Sequence, residues 1–184
     1  MLIPRRAMLR TLSALPLAVS AQHGRAASTA ETRQATALAG ASFIDAAGNP
    51  HRLGELDRPL LLVNLWAAWC PGCQEELPTL RRLAASMQPG AIEIVLLSHA
   101  MNWAGDVAYL HRNPLPFRHW RLSPQTSDGT VAAAFRFEVD RFGLPQSVVF
   151  AGRERAVVLS QLGSLDWTTP GQVARVHSWL AACN

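Results

Sequence analysis

Between Pro59 and Met87 the chain makes the transition that most restricts its fold. A nearly continuous apolar run, Leu60-Leu61-Leu62-Val63-Asn64-Leu65-Trp66, leads within a few residues to a pair of cysteines and then to a helical pattern. An apolar run without polar alternation suits a central strand buried on both faces. Beyond it, Leu77, Leu80, Leu83, Ala84 and Met87 recur at helical spacing, so the segment from Pro71 to about Met87 reads as a helix. Pro78 lies inside it and predicts a kink, because proline removes a backbone donor. Cys70 and Cys73 therefore sit at a strand-to-helix junction. Pro71 suits the first helical turn, where its missing N–H would have had no partner.

The remaining elements follow from similar patterns. Ala41 to Asp45 reads as a strand, Ala46 to Pro50 as a turn, and His51-Arg52-Leu53 as the return strand. Ile92 to Leu97 is a second core strand. Trp103 to Arg112 reads as a helix ended by Asn113-Pro114, Phe117 to Leu122 as a strand, and Thr130 to Phe135 as a short helix. Gln146 to Phe150 and Ala156 to Leu162 are strands joined by a short turn, which implies antiparallel pairing. Thr169, Pro170 and Gln172 form the start signal of a last helix, with Gln172 placed to reach back to the cap. The order predicts an α/β domain, a mixed central sheet flanked by helices. Hydrophobic residues make up 49% of the 184, enough for a core without disulfide staples.

The N-terminus reads as a targeting segment. Arg5, Arg6 and Arg10 precede a modestly apolar stretch, Thr11 to Ser20, and Ala18-Val19-Ser20 and Gly24-Arg25-Ala26 each resemble a cleavage site. The string Arg5-Arg6-Ala7-Met8-Leu9-Arg10 also resembles a twin-arginine signal. The expected organisation is a signal peptide over 1–26, a tether over 27–40 and one domain over 41–184. Arg5, Arg6, Arg10 and Arg25 account for the whole formal charge of +4. The rest of the chain has no basic block, so a nucleic-acid partner has no support.

Two cysteines three apart at a helix start carry specific chemistry. A sulfur there faces unpaired backbone N–H groups and the positive end of the helix macrodipole, and both favour the thiolate. Cys70, at the helix entry, is expected as the exposed nucleophile, and Cys73, one turn in, as the thiol that resolves its mixed disulfide. The pair is also half of a zinc site, but Cys183 is distant and the six histidines form no close pair, so no metal is assigned. Two inert buried cysteines are the remaining alternative, against which Pro71-Gly72 and Trp69 argue for an exposed corner. Glu76, three residues after Cys73, shares its helical face and could exchange a proton with it; the alternative is a solvated glutamate, as expected for Glu75. Trp66 is expected in the core and Trp69 on the rim of the pair. Asn64, in a buried strand, needs a hydrogen-bond partner.

The segment Leu62 to Pro78, with Trp69-Cys70-Pro71-Gly72-Cys73 at its centre, resembles the active-site segment of the TlpA/ResA-like exported thioredoxins. Gly143-Leu144-Pro145-Gln146-Ser147-Val148 resembles their second signature, and Gly163 through Asp166-Trp167 and Pro170 the segment before their last helix. The resemblance implies a thioredoxin-like fold with an N-terminal β-hairpin extension and a central strand-helix insertion. It implies that Pro145 is cis and packed against the cysteines, leaving the Leu144 backbone for an extended substrate strand. It also implies that Glu76 corresponds to the acid of the ResA-like group. One departure stands out: the family often has proline immediately before the second cysteine, and here that position is Gly72. The intervening dipeptide influences reduction potential, so the direction of electron flow stays open.

The expected activity is thiol–disulfide exchange in the periplasm by a monomer without a cofactor. The leading reading is a reductase of client-protein disulfides, with apocytochrome c or a copper-site assembly protein as the client the resemblance suggests. A membrane thiol transporter would supply the electrons. A disulfide-forming oxidase or isomerase of the same fold is the alternative. A Cu(I) chaperone using the thiols as soft ligands, with His99 the only histidine near a neighbouring strand end, is a third. A peroxidase is weaker still, and Cys183 receives no role.

Overall fold

The computed structural model describes residues 41–98, 102–123 and 143–183. The leader, the tether, His99 and the short helix expected at Thr130–Phe135 lie outside them.

Strand β1 (Phe43–Ile44) and strand β2 (Pro50–His51) form the N-terminal hairpin. Gly48, at φ 86°, occupies the left-handed position that its turn requires. The return strand is shorter than expected. After His51 the chain enters a 3-10 turn, Leu53–Glu55, which buries Leu53 and so trades strand pairing for core contact. Strand β3 (Leu60–Trp66) is buried at every position. It leads to helix α1 (Pro71–Ser86), strand β4 (Ile92–Ser98), helix α2 (Trp103–Arg112) and strand β5 (Arg118–Leu122). Strands β6 (Gln146–Ala151) and β7 (Ala156–Leu162) and helix α3 (Pro170–Ala181) complete the domain. Helix α1 passes through Pro78 and continues for two further turns.

The strands form one sheet in the order β2-β1-β5-β4-β3-β6-β7. Strand β3 pairs parallel with β4 and antiparallel with β6, and β6 pairs antiparallel with β7. The sheet is therefore mixed, with β3 near its centre. The β3-α1-β4 and β4-α2-β5 units cross over in the same sense along the sheet, which puts both helices on one face.

Alternation along β3 builds two cores. Leu60, Leu62 and Trp66 point to the helix face and pack with Leu77, Leu80 and Leu83 of α1 and Val176 of α3. Leu61, Val63 and Leu65 point the other way, toward Phe43, Val95, Leu97, Trp120 and Phe150. Burying each such aliphatic side chain contributes about 1.5–3 kcal/mol, which is why a strand without polar alternation belongs at the sheet centre. Asn64 is the exception, and it lies on the helix face.

Helix α3 starts as its sequence signal predicts, with Thr169 Oγ1 accepting from the Gln172 N–H at 3.4 Å. The reciprocal bond does not form. Gln172 Oε1 accepts instead from Arg175 Nη1 at 3.4 Å, and the Thr169 N–H donates to the Asp166 carbonyl at 3.3 Å.

Candidate functional site

Cys70 ends the loop that leaves β3, its N–H donating to the Ala67 carbonyl at 3.1 Å. It is the N-cap of α1, with extended backbone (φ −92°, ψ 112°), and Pro71 takes the first helical position. Its Sγ accepts the Cys73 N–H at 3.2 Å, while its carbonyl accepts the Gln74 N–H at 3.1 Å. The sulfur thus takes the place usually held by a capping oxygen, where unpaired N–H groups and the helix dipole favour negative charge. Cys70 and Cys73 form a disulfide, with 5.3 Å between their Cα atoms. Cys70 is 5% exposed and Cys73 1%, so Cys70, expected to be exposed, is a buried residue like Cys73, held in by its disulfide and by the Cys73 N–H.

The second signature meets the first at this corner. The Leu144–Pro145 peptide is cis, and Pro145 is buried. A β-carbon placed on Gly72 would lie 3.6 Å from Pro145 Cδ and 3.6 Å from Ser164 Oγ, so the Pro71-Gly72 corner rests against both. Gln146 steadies the loop by donating from Nε2 to the Gly143 carbonyl at 2.8 Å, and the Pro145 carbonyl accepts the Gly163 N–H at 2.9 Å. Leu144 is half-buried. Trp69 is 54% exposed, an uncommon setting for so large an apolar surface, and it borders the cysteines. Trp66 is fully buried, as a core residue should be.

Glu76 is 1% exposed, on the inner face of α1. Its Oε1 accepts from Trp167 Nε1 at 2.7 Å and from the Leu165 N–H at 3.4 Å. Its Oε2 accepts from Asn64 Nδ2 at 3.1 Å, and the same amide reaches Ser147 Oγ at 2.9 Å. The Asn64 amide nitrogen therefore finds its partners in the acid and in the strand beside it. Burial pushes the Glu76 pKa up, and the donors from Trp167, Asn64, Leu165 and Ser147 oppose that shift without cancelling it. The arrangement holds a carboxyl group that can store or release a proton one helical turn from Cys73. Glu75, by contrast, is exposed.

Sequence reasoning missed Asp106. This residue of α2 is fully buried, and its Oδ1 accepts the Ala68 N–H at 2.7 Å, two residues before Cys70. An acid in the first turn of a helix satisfies the helix dipole wherever it points, so the sequence alone carries no signal that this one reaches a loop 38 residues earlier. Trp167 and Ser147 were likewise invisible as partners of Glu76. Cys183 is partly buried, and its thiol donates to the Trp179 carbonyl at 3.1 Å. Among the described residues, no group of three or more His, Cys, Asp or Glu side chains is arranged to hold a metal ion. Among those residues, no helix is long and apolar enough to cross a membrane.

Residues 30–118 match the sequence model of the AhpC/TSA family. Solved structures of similar shape include the thioredoxin domain of a thiol-disulfide oxidoreductase from Bacteroides vulgatus. It has a TM-score of 0.62 at 18% identity, covering 78% of this chain and 95% of that one. A thioredoxin-related protein from Neisseria meningitidis serogroup B gives a TM-score of 0.56 at 21% identity, with 74% and 98% covered. A thiol:disulfide interchange protein of the thioredoxin family from Chlorobium tepidum gives 0.58 at 18% identity, with 76% and 92% covered. At these identities the likeness establishes the fold, which is thioredoxin-like, as the two sequence signatures implied.

Proposed function

We infer that this chain, a thiol–disulfide oxidoreductase of thioredoxin fold, acts as a reductase of disulfides in client proteins of the periplasm. The observation that carries the reading is Cys70 Sγ serving as the N-cap of α1 beside the cis Leu144–Pro145 loop. A reduced Cys70 would be held there as thiolate, next to a backbone edge able to align an extended client segment.

In this reading the Cys70 thiolate attacks one sulfur of the client disulfide. That S–S bond breaks, a Cys70–client disulfide forms, and the other client sulfur leaves as a thiolate. Glu76 takes the proton of Cys73, whose thiolate then attacks Cys70 Sγ. The mixed disulfide breaks, the second client sulfur leaves, and the Cys70–Cys73 bond forms. Two electrons pass to the client and its thiolates take up two protons. Trp69, Pro71 and Gly72, with Leu144 and Pro145, form the surface that receives the client.

The basic leader over 1–26 and the tether over 27–40 support an exported, periplasmic setting. That compartment is oxidising, so re-reduction of the pair calls for a membrane thiol transporter. The TlpA/ResA-like resemblance suggests apocytochrome c or a copper-site assembly protein as the client. Gly72, where the family often has proline, favours keeping the oxidase or isomerase as second reading.

Trapping tests the assignment. Cys73→Ser should accumulate mixed disulfides on Cys70 in periplasmic extracts, and Cys70→Ser should not; the reverse pattern overturns it. A reduction potential as oxidising as that of disulfide-forming enzymes would favour the second reading over the first.

A further inference from the structure

Trp167 is fully buried in the loop between β7 and α3, far in sequence from the cysteines yet packed in the same core cluster. A buried indole N–H needs an acceptor, and a loop carbonyl would satisfy it. Trp167 Nε1 is aimed instead at Glu76 Oε1, 2.7 Å away. The rest of the loop is fastened to the same stretch of α1. The Leu165 N–H donates to Glu76 Oε1 at 3.4 Å, the Trp167 N–H donates to Thr79 Oγ1 at 3.3 Å, and that hydroxyl donates to the Glu76 carbonyl at 2.8 Å. From the opposite side Asn64 holds Oε2. The groups that meet the carboxyl from β3, β6 and this loop are Asn64, Ser147, Trp167 and Leu165, and none of them carries charge. On its own helix the titratable neighbours are Cys73, one turn back, and Cys70 beyond it.

We propose that Trp167 is a positioning residue for the exchange reaction, its indole N–H orienting the Glu76 carboxyl group and stabilising its ionised form for proton transfer with Cys73. The inference rests on the proton-carrying role of Glu76 given above. Burial disfavours the carboxylate, no cation among the described residues offsets that cost, and the neutral donors named here make the charged form accessible. Trp167 Nε1 reaches Glu76 at 2.7 Å, closer than Asn64 Nδ2 at 3.1 Å. A hydrogen bond to a charged group is worth enough to move a pKa by about one unit or more. The same loop also places Ser164 against the Gly72 corner, so the holder of the acid and the rim of the site are one segment.

The test is stopped-flow reaction of the reduced full chain with an aromatic disulfide, 5,5′-dithiobis(2-nitrobenzoate). It releases one chromophore on attack by Cys70 and a second on resolution by Cys73. Trp167→Phe keeps an aromatic ring in the core and removes the donor. The pH midpoint of the second phase should rise by about one unit while that of the first phase stays in place. Replacing Trp167 with benzothienylalanine, which preserves the indole shape without the N–H, should give the same shift should the phenylalanine variant fold poorly. In a Glu76→Gln background, Trp167→Phe should add no shift. An unmoved second-phase midpoint, or equal movement of both phases, overturns the role of Trp167. A Glu76→Gln chain with the unaltered second-phase profile overturns the underlying reading of Glu76 itself.

Discussion

Burial sets opposite demands on pH at Glu76 and at His119. Glu76 has its pKa raised above the ordinary 4.5 by burial, so the folded state holds its proton more tightly than the unfolded chain. Its contribution to stability is complete below that ordinary value and fades as pH rises through the folded one. His119 of β5 packs against the rings of Trp66 and Trp103, at 5.8 and 4.5 Å between centroids, with Ser98 Oγ at 2.6 Å from Nε2. Burial lowers its pKa from 6.5 to about 4. The unfolded chain therefore takes up the proton first as the solution is acidified, and stability is lost as pH falls from 6.5 toward 4. The span corresponds to about 3 kcal/mol. Denaturant unfolding across that interval should show the loss, and His119→Gln, which keeps a partner for Ser98, should flatten it.

At the scale of elements, the cysteine loop depends on helix α2 as well as on the strand and helix that flank it. Ala67 and Ala68 connect β3 to the Trp69-Cys70 corner, and Asp106 of α2 accepts the Ala68 N–H at 2.7 Å. Asp106→Ala would leave that backbone donor without its acceptor in a partly buried place, at a cost of up to about 1–3 kcal/mol. The expected outcome is a lower unfolding midpoint together with slower attack by Cys70, because the loop that sets its sulfur loses its tether. Asp106→Asn retains a carbonyl oxygen and should recover most of both. Equilibrium unfolding and the first phase of disulfide reaction measure the two effects separately. An unchanged first phase in a folded Asp106→Ala chain would show that α2 plays no part in placing Cys70.

Over the whole molecule, the sheet works as a two-sided partition, and β3 contributes to both sides. Leu62 is fully buried on the helix face, among the residues that also surround Cys70 and Cys73. Leu62→Ala should cost about 2–5 kcal/mol, read as a drop in denaturation midpoint with an unchanged slope. What was legible in the sequence was local. The apolar run at Leu60–Trp66, the helical spacing after Cys73 and the cap at Thr169 each state a backbone preference within a few residues, and each element formed there. The boundaries of α2 and β7 were readable for the same reason. The return strand at His51 was less so, because two residues of pairing compete with the burial of Leu53. By itself the sequence determined where strand, cysteines and helix adjoin, and so the local setting of Cys70. Only the tertiary structure decided which groups surround Glu76 and which acid holds the cysteine loop. Asn64 lies 12 residues before Glu76 and Trp167 91 after it, while Asp106 lies 38 after Ala68. Hydrogen bonds over such separations depend on how strands order and helices cross, and short-range periodicity carries no record of that.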